Sequence, residues 1–356
     1  MAVTFIEGFD TYNGVGAATA TTVGLSSRWD VDTRGASMNT GTPYNRGQSL
    51  LLAFNGNYHV ASVPIPPATS GAIGFYIYTT SYNTASHSIF MVAIGAGSTD
   101  SNATRQMSIT LNSDGTLGVG TGTGTIATRV YNTTNILPLN SWNFLEVEFT
   151  ISNTVGAVSI YLNGALFGSA TGLDTQTHAS ATFNTLVLGD YDVGAYGGSI
   201  YYDDVYVTDT PVRLGESRVI TVVPTSDGTP SQWAASGGVV PPYTMVDEAL
   251  CNADVDYIFD GTVNDRAVFN MASTGLTPVS VSAVQIGTFS RKTDTGTRAI
   301  QLEYVDSGGT AYSSSGIILG STYRRQVSLL ENNPSTATAW TPAEANALKT
   351  GVKVSV

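Results

Sequence analysis

Residues 142–164 read WNFLEVEFTISNTVGAVSIYLNG. The first ten alternate apolar and polar positions, with Phe144, Val147 and Phe149 among the apolar ones and Glu146 and Glu148 between them. Side chains on a strand point alternately to opposite faces, so this run reads as a strand with one face in a core. Residues 158–167, VSIYLNGALF, carry a second run through Asn163-Gly164. Asn-Gly supplies the two positive φ angles of a type I′ turn, which makes that run a hairpin. The same grammar extends outward. Residues 105–120, RQMSITLNSDGTLGVG, alternate around Asp114-Gly115; residues 199–207, SIYYDDVYV, form another strand; residues 73–79 and 89–94 read as core strands. No stretch of residues 1–210 keeps a helical period over three turns.

Composition agrees. The chain has 356 residues, which fits two domains or one large one. It is 42% apolar, enough for a core, but only 12% charged, with 38 Gly and 18 Tyr. Long helices rich in Ala, Glu, Lys and Leu are excluded, and an all-β protein is expected. The net charge is −12. Residues 1–213 hold six Arg, no Lys and 14 acids; residues 214–356 hold nine bases and 13 acids. With no basic stripe to neutralise phosphates, nucleic acid is not an expected partner. No apolar run approaches 18 residues and residues 1–10 lack a signal-peptide pattern, so neither membrane insertion nor secretion by that route is expected. Cys251 is the single cysteine, which rules out an intrachain disulfide and argues against a cysteine-based zinc site.

A boundary is expected at about 211–216, giving domains 1–212 and 213–356. Strand character resumes at 219–223, residues 224–243 read as a long Pro/Gly loop, and further strands are expected at 257–259, 266–271, 279–289, 297–304, 315–319 and 325–330. Thr341-Pro-Ala-Glu344 has the form of a capping box with Pro at the first helical position, so a helix is expected from there to about Lys349. A final strand is expected at 352–356.

The N-terminal strand FIEGFD (residues 5–10), the strand opening at Trp142, the VSIYLNG hairpin and the closing strand IYYDDVYV resemble the concanavalin A-like, laminin-G-like jelly roll. That resemblance implies a sandwich closed by pairing of its first and last strands. Residues 331–354, ENNPSTATAWTPAEANALKTGVKV, resemble the C-terminal modules of tailed-bacteriophage virion proteins. This second resemblance implies a non-enzymatic structural component of a phage particle, a head decoration, fibre or tail appendage. It would be made in the host cytoplasm, docked on other virion proteins and self-associated, with a homotrimer as the first expectation.

Glucanases share the jelly-roll fold, so paired carboxylates matter. Glu146 and Glu148 share one face of a strand, but the laminarinase-type pattern Glu-x-Asp-x-x-Glu ends here in Ile151. Two solvent-facing acids on a half-buried strand are the expectation, and glycan hydrolysis is the remote alternative. Asp190, Asp192, Asp203 and Asp204, with Glu7 and Asp10, form a second acidic set. If the closing strands pair, Asp10 and either Asp203 or Asp204 approach, and such hard oxygens suit Ca²⁺. The alternative is acids that solubilise an outer face and blunt an edge strand. No other cofactor is expected.

His59, His87 and His178 lie in separate segments without metal spacing, and Cys251 has no basic neighbour in sequence, which predicts an inert thiol. Residues 118–124, GVGTGTG, do not lead into a helix and read as a loop rather than a phosphate cradle. Tyrosines cluster at 76, 78 and 82 and at 191, 196, 201, 202 and 206. They serve strand packing, interfaces or sugar stacking. Recognition of a host surface glycan is therefore the alternative function.

Overall fold

In a computed structural model of the protein, the described residues are 1–15, 23–31, 36–44, 47–53, 59–82, 86–95, 105–121, 128–190, 198–275 and 280–356. The fold is nearly all β and divides into two compact units. One is Met1–Phe9 with Trp29–Val219; the other is Asp10–Arg28 with Ile220–Val356. The boundary expected at 212/213 thus differs from this division at both ends: residues 213–219 belong with the first unit, and residues 10–28 with the second.

The first unit is a jelly-roll sandwich. One sheet runs in the order Ala165–Leu173, Gly156–Leu162, Asn143–Thr150, Ser70–Thr79, Ser199–Thr208, Ser49–Ala53 and Ala36–Asn39, with Val3–Glu7 also paired to Ser199–Thr208. The first and last strands do close it, with Val3 opposite Thr208 and Glu7 opposite Val205. The facing sheet runs Thr128–Ile136, Thr116–Thr121, Arg105–Leu111, His87–Ala93, Phe183–Asp190, His59–Ala68 and Asp30–Val31. Leu145, Val147, Phe149, Phe75 and Tyr202 are all buried. Phe75 meets Phe90 of the facing sheet at 5.8 Å, and the Tyr202 hydroxyl donates to the Ile89 carbonyl at 2.7 Å. Asn163 and Gly164 both have positive φ, 51° and 81°, so this turn is the one its residues specify.

The second unit is also a sandwich. A six-stranded sheet runs Pro224–Ser231, Arg266–Met271, Lys349–Val354, Ala299–Val305 and Ala311–Ser313, with Ile317–Ile318 beside Ala299–Val305. Its buried side chains Phe269, Leu302, Tyr304 and Val352 pack with Trp340 and with Ile286 of the Val284–Ser290 strand, which pairs with Arg324–Leu330. Within this unit Tyr12 packs edge-on to Phe289, and the Arg325 guanidinium lies 5.1 Å from the Tyr12 ring centroid.

Four local expectations change. Residues 224–231 form an edge strand rather than part of a loop, while 219–223 do not form one. Pro224 opens that strand and Pro230 falls in a register shift between Asp227 and Ser231, the places where a sheet tolerates a residue without an N–H. The helix has its full capping box but spans only Pro342–Ala345. Lys349 already pairs with Asn270, so the final strand is Lys349–Val354 and leaves no chain for a second helical turn.

Candidate functional site

The site lies on the outer face of the eight-stranded sheet. Leu145, Val147 and Phe149 are buried in the sandwich, so Phe144, Glu146 and Glu148 point the other way. Register places Phe144 opposite Tyr76, and both Glu146 and Tyr206 opposite Gly74. A Cβ on Gly74 would come within 2.1 Å of the Tyr206 ring, so the strand needs glycine there. Residues 212–215 then pass over this face and form, with Glu148, a shallow cleft.

This cover overturns the expectation that Glu146 faces solvent: it is 0% exposed. Its Oε1 accepts from the Tyr206 hydroxyl at 2.6 Å and from the Gly215 N–H at 2.8 Å, and its Oε2 from the Arg213 guanidinium at 3.1 Å. Glu148 keeps partial exposure and accepts from the Arg213 N–H at 3.3 Å and from the Tyr161 hydroxyl at 3.4 Å. The Arg213 guanidinium sits 3.9 Å from the Tyr161 ring centroid. The two acids do share a face. One of them is a buried anchor for the covering segment, however, with its oxygens already engaged.

Beside this anchor runs a strip of half-buried rings that the sequence clusters only partly foretell. Trp142 lies 5.7 Å from Tyr78 and 5.8 Å from Tyr44; Tyr78 and Tyr201 meet edge to face at 5.4 Å. Tyr44 stacks on the buried Tyr76 at 3.5 Å, and the exposed Arg218 guanidinium lies 4.7 Å from the Tyr44 ring centroid. Tyr78 and Tyr201 come from paired strands and Trp142 immediately precedes the adjacent strand Asn143–Thr150, whereas Tyr44 and Arg218 come from connecting segments. Tyr44 and Arg218 gave no sequence signal, because their place at the strip is set by contacts with residues far along the chain. Tyr82 instead donates to the Leu137 carbonyl. Tyr191, Tyr196 and Asp192 lie outside the described residues, as do the side chains of His59 and Asp190.

Asp203 and Asp204 act on the backbone. Asp203 accepts from the Asp204 N–H at 2.9 Å and the Tyr44 N–H at 3.0 Å, and Asp204 accepts from the Val219 N–H at 2.9 Å. Asp204 has φ 51° at a register shift between Asp203 and Tyr206, a conformation that Asp tolerates better than most residues. Glu7 is buried and accepts from the Trp29 indole N–H at 3.3 Å. Asp10 belongs to the other unit. Among the described residues no group of three Asp, Glu, His or Cys side chains is placed to hold a metal ion. Three of the Asp203 and Asp204 oxygens already accept from main-chain N–H groups, whereas Ca²⁺ takes six to eight oxygen ligands. The expected result is therefore an unchanged melting temperature in 1 mM calcium against chelator; a raised midpoint would show an ion bound to the folded state.

His87 is buried and the exposed His178 accepts from the Ser180 N–H at 3.1 Å. Burial pushes the Cys251 thiol up to about 11, which disfavours the reactive thiolate. Of residues 118–124, Gly118–Thr121 lie in the Thr116–Thr121 strand and the rest lie outside the described residues.

Residues 54–214 match the family model of the concanavalin A-like lectin/glucanases superfamily. The first unit carries a concanavalin A-like domain. Solved structures similar to the chain include alginate lyase Aly36B, at 12% identity and TM-score 0.41 over 61% of this chain and 100% of that one. Trypanosoma rangeli sialidase in complex with a difluorinated sialic acid is similar at 10% identity and TM-score 0.35, over 56% of this chain and 30% of that one. The carbohydrate recognition domain of Emp46p, in its potassium-bound form, is similar at 10% identity and TM-score 0.36, over 56% and 97%. No curated protein sequence matches the chain. In this concanavalin A-like domain, the anchored carboxylate and the aromatic strip lie side by side on one sheet face.

Proposed function

We propose that the protein is a non-enzymatic carbohydrate-binding protein whose concanavalin A-like domain takes a glycan on the strip formed by Tyr44, Tyr78, Trp142 and Tyr201. The observation that carries this reading is the strip itself: four half-buried rings next to one another, with the Arg218 guanidinium at one end. The electron-rich face of an aromatic ring attracts the weakly positive C–H groups that a sugar presents on its flat sides. A guanidinium beside it supplies donors for hydroxyl or carboxylate oxygens. The absence of catalysis is part of the proposal. A retaining or inverting hydrolase needs two carboxyls that reach the scissile bond, and Glu146 is held beneath residues 213–215.

A glycan array followed by titration calorimetry tests the reading. Trp142→Ala is expected to weaken the best glycan at least tenfold, taking as the measure the ~1–3 kcal/mol of a nucleic-acid base stacked on an aromatic side chain. Wild-type protein that binds no glycan, or a Trp142→Ala variant of unchanged affinity, would remove it. A reducing-end assay on any bound polysaccharide should stay negative.

A second proposal, compatible with the first, is that the chain is a structural component of a tailed-phage particle, self-associated and docked on other virion proteins. Its support is the resemblance of residues 331–354, whose Trp340, capped helix and Lys349–Val354 strand follow in the expected order. The position of the chain in images of an intact particle, and light scattering for a trimer, decide it.

A further inference from the structure

We propose that the second unit carries a docking face for a partner protein, formed around Val239, Val255, Tyr257 and Phe259, and that the partner presents a segment combining apolar with basic side chains. Residues 255–259 alternate. Ile258 packs against the unit's core, while Val255, Tyr257 and Phe259 remain 80%, 38% and 52% exposed. The Tyr257 and Phe259 rings lie 6.0 Å apart. Ile258–Phe259 pairs with Ala234–Ala235, and the Ser236 N–H donates to the Tyr257 carbonyl at 2.9 Å. After Ala234–Ala235 the chain turns, with the Gly238 N–H donating to the Ala235 carbonyl at 3.2 Å, and this turn bears the fully exposed Val239. Single exposed apolar residues are ordinary, but two adjoining exposed rings, with one exposed valine two residues before them and another in the turn after the paired strand, are not. Such rings are the usual anchors of protein interfaces.

Charge selects the occupant. Residues 233–265 contain six Asp or Glu and no Lys, Arg or His. One of the six, Asp254, is paired with Arg291 at 3.0 Å. The other five are Asp247, Glu248, Asp256, Asp260 and Asp265. Burial, and the negative neighbours Asp256 and Asp247, raise the Glu248 carboxyl above its usual range, as expected where like charges crowd. A segment so acidic repels phosphates, which disfavours nucleic acid and anionic membranes. It also repels a second copy of itself, since a two-fold contact would bring the segment against its own image. A basic, apolar polypeptide segment relieves the crowding and covers the rings.

The experiment uses the full chain and two fluorescein-labelled amphipathic peptides of equal length, one of Leu and Lys and one with Glu in place of every Lys. Anisotropy at physiological salt should show saturable binding of the Lys peptide only. Tyr257→Ser/Phe259→Ser keeps the net charge and should weaken that binding at least tenfold. Val239→Ser/Val255→Ser, at positions too exposed to affect folding, should weaken it at least threefold. Val155→Ser, exposed on the first unit, should leave it unchanged. Equal affinity for all variants would mean general attraction to an acidic protein and would overturn the proposal. So would equal binding of the two peptides, absence of saturable binding, or a dimer in light scattering that Phe259→Ser dissolves.

Discussion

Arg213→Met is expected to destabilise the first unit by about 3 kcal/mol, the order found when one partner of a buried ion pair is removed. For a unit of this size that corresponds to a melting temperature lower by roughly 6–12 °C. Methionine keeps most of the apolar stem that covers Tyr161, so the loss isolates charge from packing. The burden falls on Glu146, whose side chain is 1% exposed and which is left with only the Tyr206 hydroxyl and the Gly215 N–H. Adding Glu146→Gln removes the stranded charge and should restore at least half of the loss. Urea unfolding of the single and the double variant at neutral pH reads both. A single variant within 0.5 kcal/mol of wild type would show that Glu146 does not depend on Arg213.

The second large effect is alkaline. Burial holds the Tyr206 hydroxyl protonated far above the usual phenol range, helped by its hydrogen bond to the Glu146 carboxylate and by that group's charge. Tyr76 is raised in the same direction by burial and by its bond to Glu216, and Tyr323 of the second unit, by burial and by Asp254, to about 12. In the unfolded chain these phenols ionise near 10. A group raised on folding contributes all its stability below the unfolded value and loses it as pH climbs toward the folded one. From pH 10 upward, each such tyrosine should cost about 1.4 kcal/mol per pH unit. Denaturant midpoints measured at pH 8, 9.5, 10.5 and 11 should be level up to about 10 and fall steeply beyond. Tyr206→Phe, less stable at pH 8, should show a shallower decline. Parallel curves for the two proteins would exclude Tyr206 as a source.

Much of the scaffold was legible because its determinants are local. Asn163-Gly164 fixes its own turn, and alternation through Phe144–Phe149 fixes which side chains share a face. The capping box at Thr341 marks where the helix begins, but pairing of Lys349 with a distant strand decides where it stops. The site was less legible for the same kind of reason. Nothing near Glu146 in sequence announces its burial, because Tyr206, Arg213 and Gly215 lie 60 to 69 residues away. Asp203 and Asp204 have the composition of a cation site, and only the irregular stretch of backbone between Asp203 and Tyr206 turns them onto main-chain N–H groups. Tyr257 and Phe259 read as ordinary strand residues until Ile258 is seen to take the inward place.

The interleaving of the two units constrains how the chain is made. Met1–Phe9 and Asp10–Arg28 leave the ribosome in succession, yet belong to different units. Val3–Glu7 pairs with Val205–Thr208, so the first sheet cannot close until some 200 residues have followed. At synthesis rates of about 5–20 residues per second, that is a wait of roughly 10–40 s. Asp10–Arg28 waits longer still, for Cys251 and Arg325. If the units fold in order of synthesis, the first must close while Asp10–Arg28 still waits for partners not yet made. A single protease cut after Val219 would keep the first unit's residues together but would part Asp10–Arg28 from the rest of the second, and Asp10–Arg28, while it waits, would be a client for holdase chaperones.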